Sequence, residues 1–156
     1  MSNIVDVGAA APEFDLPGDD LSRVSLAALR GRKVVLYFYP KDDTSGCTAE
    51  AIAFNQLQSE FAAAGTVVVG ISPDSAASHD RFKAKHSLAL SLASDPEKAT
   101  LQAYEVWKEK SMYGRKYFGV ERSTFLIDRT GRIAKIWRKI KVPGHAEEVL
   151  AAAKAL

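Results

Sequence analysis

Lys33-Val-Val-Leu-Tyr-Phe-Tyr39, then Pro40-Lys-Asp-Asp-Thr-Ser-Gly46, then Cys47-Thr-Ala-Glu50: this stretch decides how the chain folds. The β-branched and aromatic run from Lys33 to Tyr39 reads as a central strand buried on both faces of a sheet. A polar loop containing Pro40 and Gly46 follows it. A helix then begins near Cys47 and runs to Ala64, closed by Gly65. In open sheets, functional groups gather where strands end and helices start.

Outward from this unit the chain keeps alternating. Thr66 to Ser72 reads as a second buried strand, and Ser75 to His86 as a helix entered through Pro73-Asp74. Leu90 to Ala93 is a short strand and Glu97 to Tyr104 a short helix. Ser123 to Asp128 and Arg132 to Lys139 are strands joined by Arg129-Thr-Gly131, a hairpin signal. His145 to Leu156, after Pro143-Gly144, closes as a helix. The order implies an α/β fold, a central mixed sheet flanked by helices on both faces. It has the outline of a thioredoxin-like domain. No repeat, low-complexity segment or boundary interrupts residues 1–156, so one domain is expected.

Composition excludes several functions. The chain has 156 residues, 47% of them apolar, enough to fill a core. No apolar run approaches the ~20 residues that span a bilayer. Met1 to Glu13 lacks a basic start and an apolar centre, so a cytoplasmic protein is expected. A net charge of +2 is too weak to suggest nucleic acid. Basic residues do gather late in the chain: Arg129, Arg132, Lys135, Arg138, Lys139 and Lys141. They read either as an edge strand kept from pairing by its charges or as a docking surface for an acidic partner.

The single cysteine, Cys47, rules out an intrachain disulfide and a C-x-x-C redox pair. A zinc site would have to rest on His79, His86, His145 and carboxylates without a recognised ligand spacing. A lone cysteine is more often an inert buried hydrophobe than a nucleophile. Here, however, it falls at a helix N-terminus, whose free N–H groups and dipole favour a thiolate. Thr44, three residues earlier, has a hydroxyl able to donate to that thiolate and to accept from a peroxide. Pro40 offers no N–H and can shield the sulfur. At 100° per residue, Cys47, Glu50, Ala51, Leu57 and Phe61 fall within about 60° of Phe54, so Cys47 heads an inward face. Arg122, just before the Ser123 strand, is the cation best placed to reach the sulfur, with Glu50 to hold it. Equally, Arg122 reads as an exposed strand end.

The pattern Pro40-x-x-x-Thr44-x-x-Cys47 resembles the active-site signature of peroxiredoxins. The longer YFYPKDDTSGCTAEA resembles the peroxiredoxin Q branch, also called bacterioferritin comigratory protein. The opening GAAAPEFDLPGDD, the VVGISPDS segment and the KSMYGRKYFGVERSTFLID block extend the resemblance along nearly the whole chain. The resemblance implies a thioredoxin-like fold, with Cys47 as the peroxidatic cysteine. It implies that Thr44 binds the peroxide, Arg122 stabilises thiolate and transition state, Pro40 shields the pocket and Glu50 orients Arg122. The implied activity is thiol-dependent reduction of hydrogen peroxide and organic hydroperoxides through a Cys47 sulfenic acid, with no cofactor and no metal. The branch is usually monomeric and no large apolar patch is evident, so a monomer is expected.

The sequence departs from the branch where a second, resolving cysteine often stands. Those positions are Ile52 and the neighbourhood of Lys83. Ile52 lies about 160° from Phe54 and is expected to face outward. Resolution must then come from outside the chain: from an external thiol (thioredoxin, glutaredoxin, glutathione or a small dithiol), with an intermolecular Cys47–Cys47 disulfide as the alternative. Ser45 also stands where proline is common. Two other functions compete. One is a thiol redox or binding module forming mixed disulfides with little peroxidase activity. The other is a structural or holdase-like protein with Cys47 as filler, against which the polar Thr44, Cys47 and Glu50 cluster argues.

Overall fold

The computed structural model describes residues 5–19 and 22–156. Its centre is a five-stranded sheet built around β3 (Lys33–Phe38). β4 (Thr66–Ser72) pairs parallel to β3, and β5 (Ser91–Ser94) parallel to β4. On the other side β8 (Ser123–Ile127) runs antiparallel to β3, and β9 (Ile133–Arg138) antiparallel to β8. The sheet is therefore mixed, in the order β5-β4-β3-β8-β9. β9 lies at an edge, where its exposed Lys135 discourages further pairing.

Alternation along β3 divides the interior in two. Val34, Leu36 and Phe38 enter one apolar cluster, and Val35, Tyr37 and Tyr39 the other. The first is covered by the N-terminal segment and by α4 (Ala99–Ala103). The second is covered by α1 (Ser45–Gln56), α2 (Gln58–Ala63), α3 (Ala76–His86) and α5 (His145–Ala155). Every residue of β3 is buried, as its unbroken apolar run requires. Helices thus flank both faces, the thioredoxin-like arrangement expected from the order of elements.

Three local features differ from the sequence expectation. The helix expected from Cys47 to Ala64 starts at Ser45 and breaks at Leu57. Neither proline nor glycine marks the break. Instead Asn55 accepts from Ala89 N at 2.8 Å, and Phe61 turns back to meet Phe54 at a ring distance of 6.0 Å. Ile52, expected outside, is half-buried and packs against the second cluster. Two small hairpins were not anticipated: β1 (Asp15–Pro17) with β2 (Arg23–Ser25), and β6 (Trp107–Met112) with β7 (Arg115–Val120). The second turns on Tyr113 and Gly114, both at positive φ. Tyrosine is a rare first residue for such a turn, and the charges of WKEKSM conceal the strand. This ribbon stands outside the main sheet and leaves Met112, Tyr113 and Phe118 exposed.

One close approach fixes how α1 sits. The Tyr37 ring stacks on Phe54 at 4.8 Å and lies over Gly70 of β4. A Cβ at Gly70 would stand 2.6 Å from Tyr37 Cζ and 2.8 Å from Leu92 Cδ2. Gly70→Ala is therefore expected to destabilise the fold by about 1–3 kcal/mol through overpacking, read as a lower urea midpoint with an unchanged m-value.

Candidate active site

Cys47 is the third residue of α1 and is 1% exposed. Thr44 is the N-cap, with extended backbone at φ −88° and ψ 156°, and its carbonyl accepts from Thr48 N at 2.8 Å. A sulfur in this first turn faces the positive end of the helix. The cation comes from the entry to the strand next to β3. Ser123 pairs with Phe38, so the residue before it, Arg122, emerges beside the end of β3. Arg122 Nη2 donates to Cys47 Sγ at 3.3 Å, and Nη1 donates to Glu50 Oε1 at 2.5 Å. Gly46 leaves room for this group, since a Cβ there would lie 3.3 Å from Nη2.

Glu50, one turn after Cys47, is 1% exposed, and its buried Oε2 finds no partner among the described residues. Burial pushes the Glu50 carboxyl up to about 7, against the opposing pull of Arg122. Burial works against the Arg122 charge, but Glu50 and Cys47 outweigh it and hold the guanidinium above its ordinary value. A permanently charged donor therefore lies against the sulfur, while its carboxylate anchor is close to a change of charge.

Thr44 is placed differently from the expectation. Its hydroxyl donates to Lys41 O at 2.9 Å, not to the sulfur. With its proton committed, the hydroxyl has lone pairs left to accept a further hydrogen bond. Pro40 is half-buried at the start of the loop. Cys47, Glu50 and Arg122 are thus brought together, with Thr44 and Pro40 on the loop that enters α1.

Sequence reasoning missed what holds that loop. Tyr39 OH donates to Asp42 Oδ1 at 2.6 Å, Ser78 Oγ donates to Asp42 Oδ2 at 2.7 Å, and Asp42 N donates to Asp74 Oδ2 at 2.6 Å. His79 Nε2 shares a 2.7 Å hydrogen bond with Ser72 Oγ and lies 3.7 Å from Asp42 Oδ2. Burial raises the Asp42 pKa and lowers that of His79. The loop is pinned to the end of β4 and the start of α3. The adjacent Asp42-Asp43 pair was the available signal, but it reads simply as a polar loop.

Comparison with known proteins places this geometry in company. The sequence profile of the AhpC/TSA family matches residues 7–136. Peroxiredoxin Bcp of Bacillus subtilis is 47% identical over 146 residues, covering 94% of this chain and 93% of that protein. A Xanthomonas campestris bacterioferritin comigratory protein, described for its alkyl peroxide reduction activity, superposes with a TM-score of 0.90 at 45% identity and 97% coverage of both chains. PrxQ of Xylella fastidiosa superposes with a TM-score of 0.93 at 40% identity, over 99% of this chain and 98% of that one.

The Glu50 carboxyl carries a pH dependence whose sign is fixed. Its folded-state pKa lies above the ordinary 4.5, so its contribution to stability is complete below about 4.5 and lost as pH rises through about 7. Glu50→Gln cannot titrate. Between pH 4.5 and 8 the wild type is expected to lose up to about 3 kcal/mol relative to Glu50→Gln, measured by urea unfolding at both pH values. Parallel pH profiles for the two proteins would show that Glu50 stays ionised throughout.

Proposed function

The chain belongs to the AhpC/TSA family and is a thiol-dependent peroxidase of the peroxiredoxin class, and on that premise we propose that Cys47 is its peroxidatic cysteine. The observation that carries this reading is the 3.3 Å contact from Arg122 Nη2 to a sulfur in the first turn of α1. Helix terminus and guanidinium both set positive charge against the sulfur, whose reacting form is the thiolate. The thiolate attacks one oxygen of hydrogen peroxide or an organic hydroperoxide. The S–O bond forms as the O–O bond breaks, and the leaving oxygen departs as water or alcohol after taking a proton. Arg122 donates to the reacting oxygens and opposes the charge that moves onto them. Thr44 accepts the peroxide O–H and so orients the O–O bond. Pro40 shields the sulfur, and Glu50 positions Arg122.

The product is a Cys47 sulfenic acid. This chain has no other cysteine, so an external thiol (thioredoxin, glutaredoxin or glutathione) returns it to the thiolate. We take the working protein to be a cytoplasmic monomer. Among the described residues no helix is long and apolar enough to cross a membrane. A light-scattering mass twice that of the 16.9 kDa chain would refute the monomer.

The test is direct. One equivalent of hydrogen peroxide added to reduced protein is expected to add one oxygen within seconds. The gain should be reversed by dithiol and absent in Cys47→Ser. Arg122→Ala should slow that step by about 10²–10³-fold with the fold retained, and Thr44→Val should slow it less. A thiol still reduced after minutes would sink the peroxidase reading and favour a mixed-disulfide module.

A further inference from the structure

At the end of the sheet where α1 begins, a cleft of about 560 Å³ opens between the end of β9 and the start of α5. The strand register explains why they are neighbours. Phe38 ends β3 and pairs with Ser123, and Ser123 pairs with Arg138, which ends β9. The helices that follow these strands, α1 and α5, therefore both begin at this end, and both pack on the same apolar cluster. A direct link completes the arrangement. Ile140 N, in the cleft wall, donates to Arg122 O at 3.2 Å, and the Arg122 side chain donates to the sulfur.

The lining is amphipathic. Trp137, Ile140 and Pro143 supply apolar surface, while Lys139 and Lys141 are exposed. Among the described residues neither lysine forms an ion pair. The carboxylate in the cleft, Glu148, already accepts from Trp137 Nε1 at 2.5 Å. Arg138 turns to the opposite face, where it donates to Glu105 O at 3.3 Å and lies over the Phe125 ring. Among the side chains that face the cleft, the two lysines thus set a net positive charge against the single Glu148 carboxylate.

The cleft wall is tied through Arg122 to a cysteine that is 1% exposed and is the only one in the chain. A slim thiol reaches such a sulfur more readily than a protein surface does, and unpaired lysines beside an indole favour a carboxylate-bearing, peptide-like molecule. Building on the peroxidase reading, we propose that the cleft between β9 and α5 binds a small anionic thiol of the glutathione class and directs its sulfur to oxidised Cys47. The first thiol displaces the hydroxyl of the sulfenic acid, which leaves as water with the thiol proton, and a mixed disulfide forms. A second thiol attacks the sulfur of the bound one, releasing their shared disulfide and the Cys47 thiolate. The two thiols supply the two electrons that the peroxide removed.

Two measurements on the full chain separate this inference from the one beneath it. In the first, the unreactive S-methylglutathione is titrated into reduced protein and tryptophan fluorescence is followed. Saturable quenching is expected, weakening with added salt and by about tenfold in Lys139→Glu/Lys141→Glu. In the second, sulfenic acid is formed with one equivalent of peroxide, and its loss is timed with glutathione and with uncharged 2-mercaptoethanol. The ratio of the two rates should fall about tenfold in the double variant. Sulfenic acid that forms normally, with no quenching and the same rate ratio in both proteins, overturns the cleft and leaves the peroxidase intact. Quenching without sulfenic acid supports the cleft and overturns the peroxidase.

Discussion

A guanidinium lies between a buried carboxylate and a sulfur, and its partners stand 72 and 75 residues away along the chain. That contact depends on a single register, Ser123 opposite Phe38 in the antiparallel pair β8 and β3. A shift of one residue would turn every side chain of β8 to the other face. It would exchange Thr124, bonded to His145, with Phe125, which packs in the opposite cluster. The alternation that fills two cores on either side of β3 is therefore also what delivers Arg122 to the start of α1. Stability and chemistry rest on the same pairing.

The second constraint is burial of charge. Glu50 is withdrawn from water and left with one oxygen unpartnered among the described residues, a costly placement that the Arg122 contact offsets. Asp42 is buried as well, but two hydroxyl donors satisfy its oxygens. The two carboxylates do different work. Asp42 fixes the path of the loop into α1, whereas Glu50 fixes the aim of a cation.

What the sequence makes legible follows from the range of each interaction. The β3–loop–α1 unit is readable because its apolar run, its loop residues and Cys47 are contiguous, and Thr66 to Ser72 is read to the residue for the same reason. The meeting of Cys47 with Arg122 is not readable from local pattern, since it requires the β8 register. The Thr44 hydroxyl chooses Lys41 O through the shape of a short turn that no periodicity encodes. The break at Leu57 is set by contacts of Asn55 and Phe61 rather than by any breaker residue. The β6–β7 ribbon is hidden because its strands are charged and its turn begins at a tyrosine.

That ribbon carries a sulfur, Met112, in the opposite circumstances from Cys47. Met112 is 55% exposed near the hairpin tip, whereas Cys47 is sheltered beneath a guanidinium. A thioether has no ionisable proton and cannot be activated by a neighbouring charge, so it oxidises slowly, in step with the oxidant around it. On the reading of Cys47 as the peroxidatic thiol, its sulfur would be reset in each cycle, whereas a methionine sulfoxide would persist until a separate reductase removed it. The exposed Met112 thioether is thus open to oxidant in solution, while the Cys47 sulfur is enclosed.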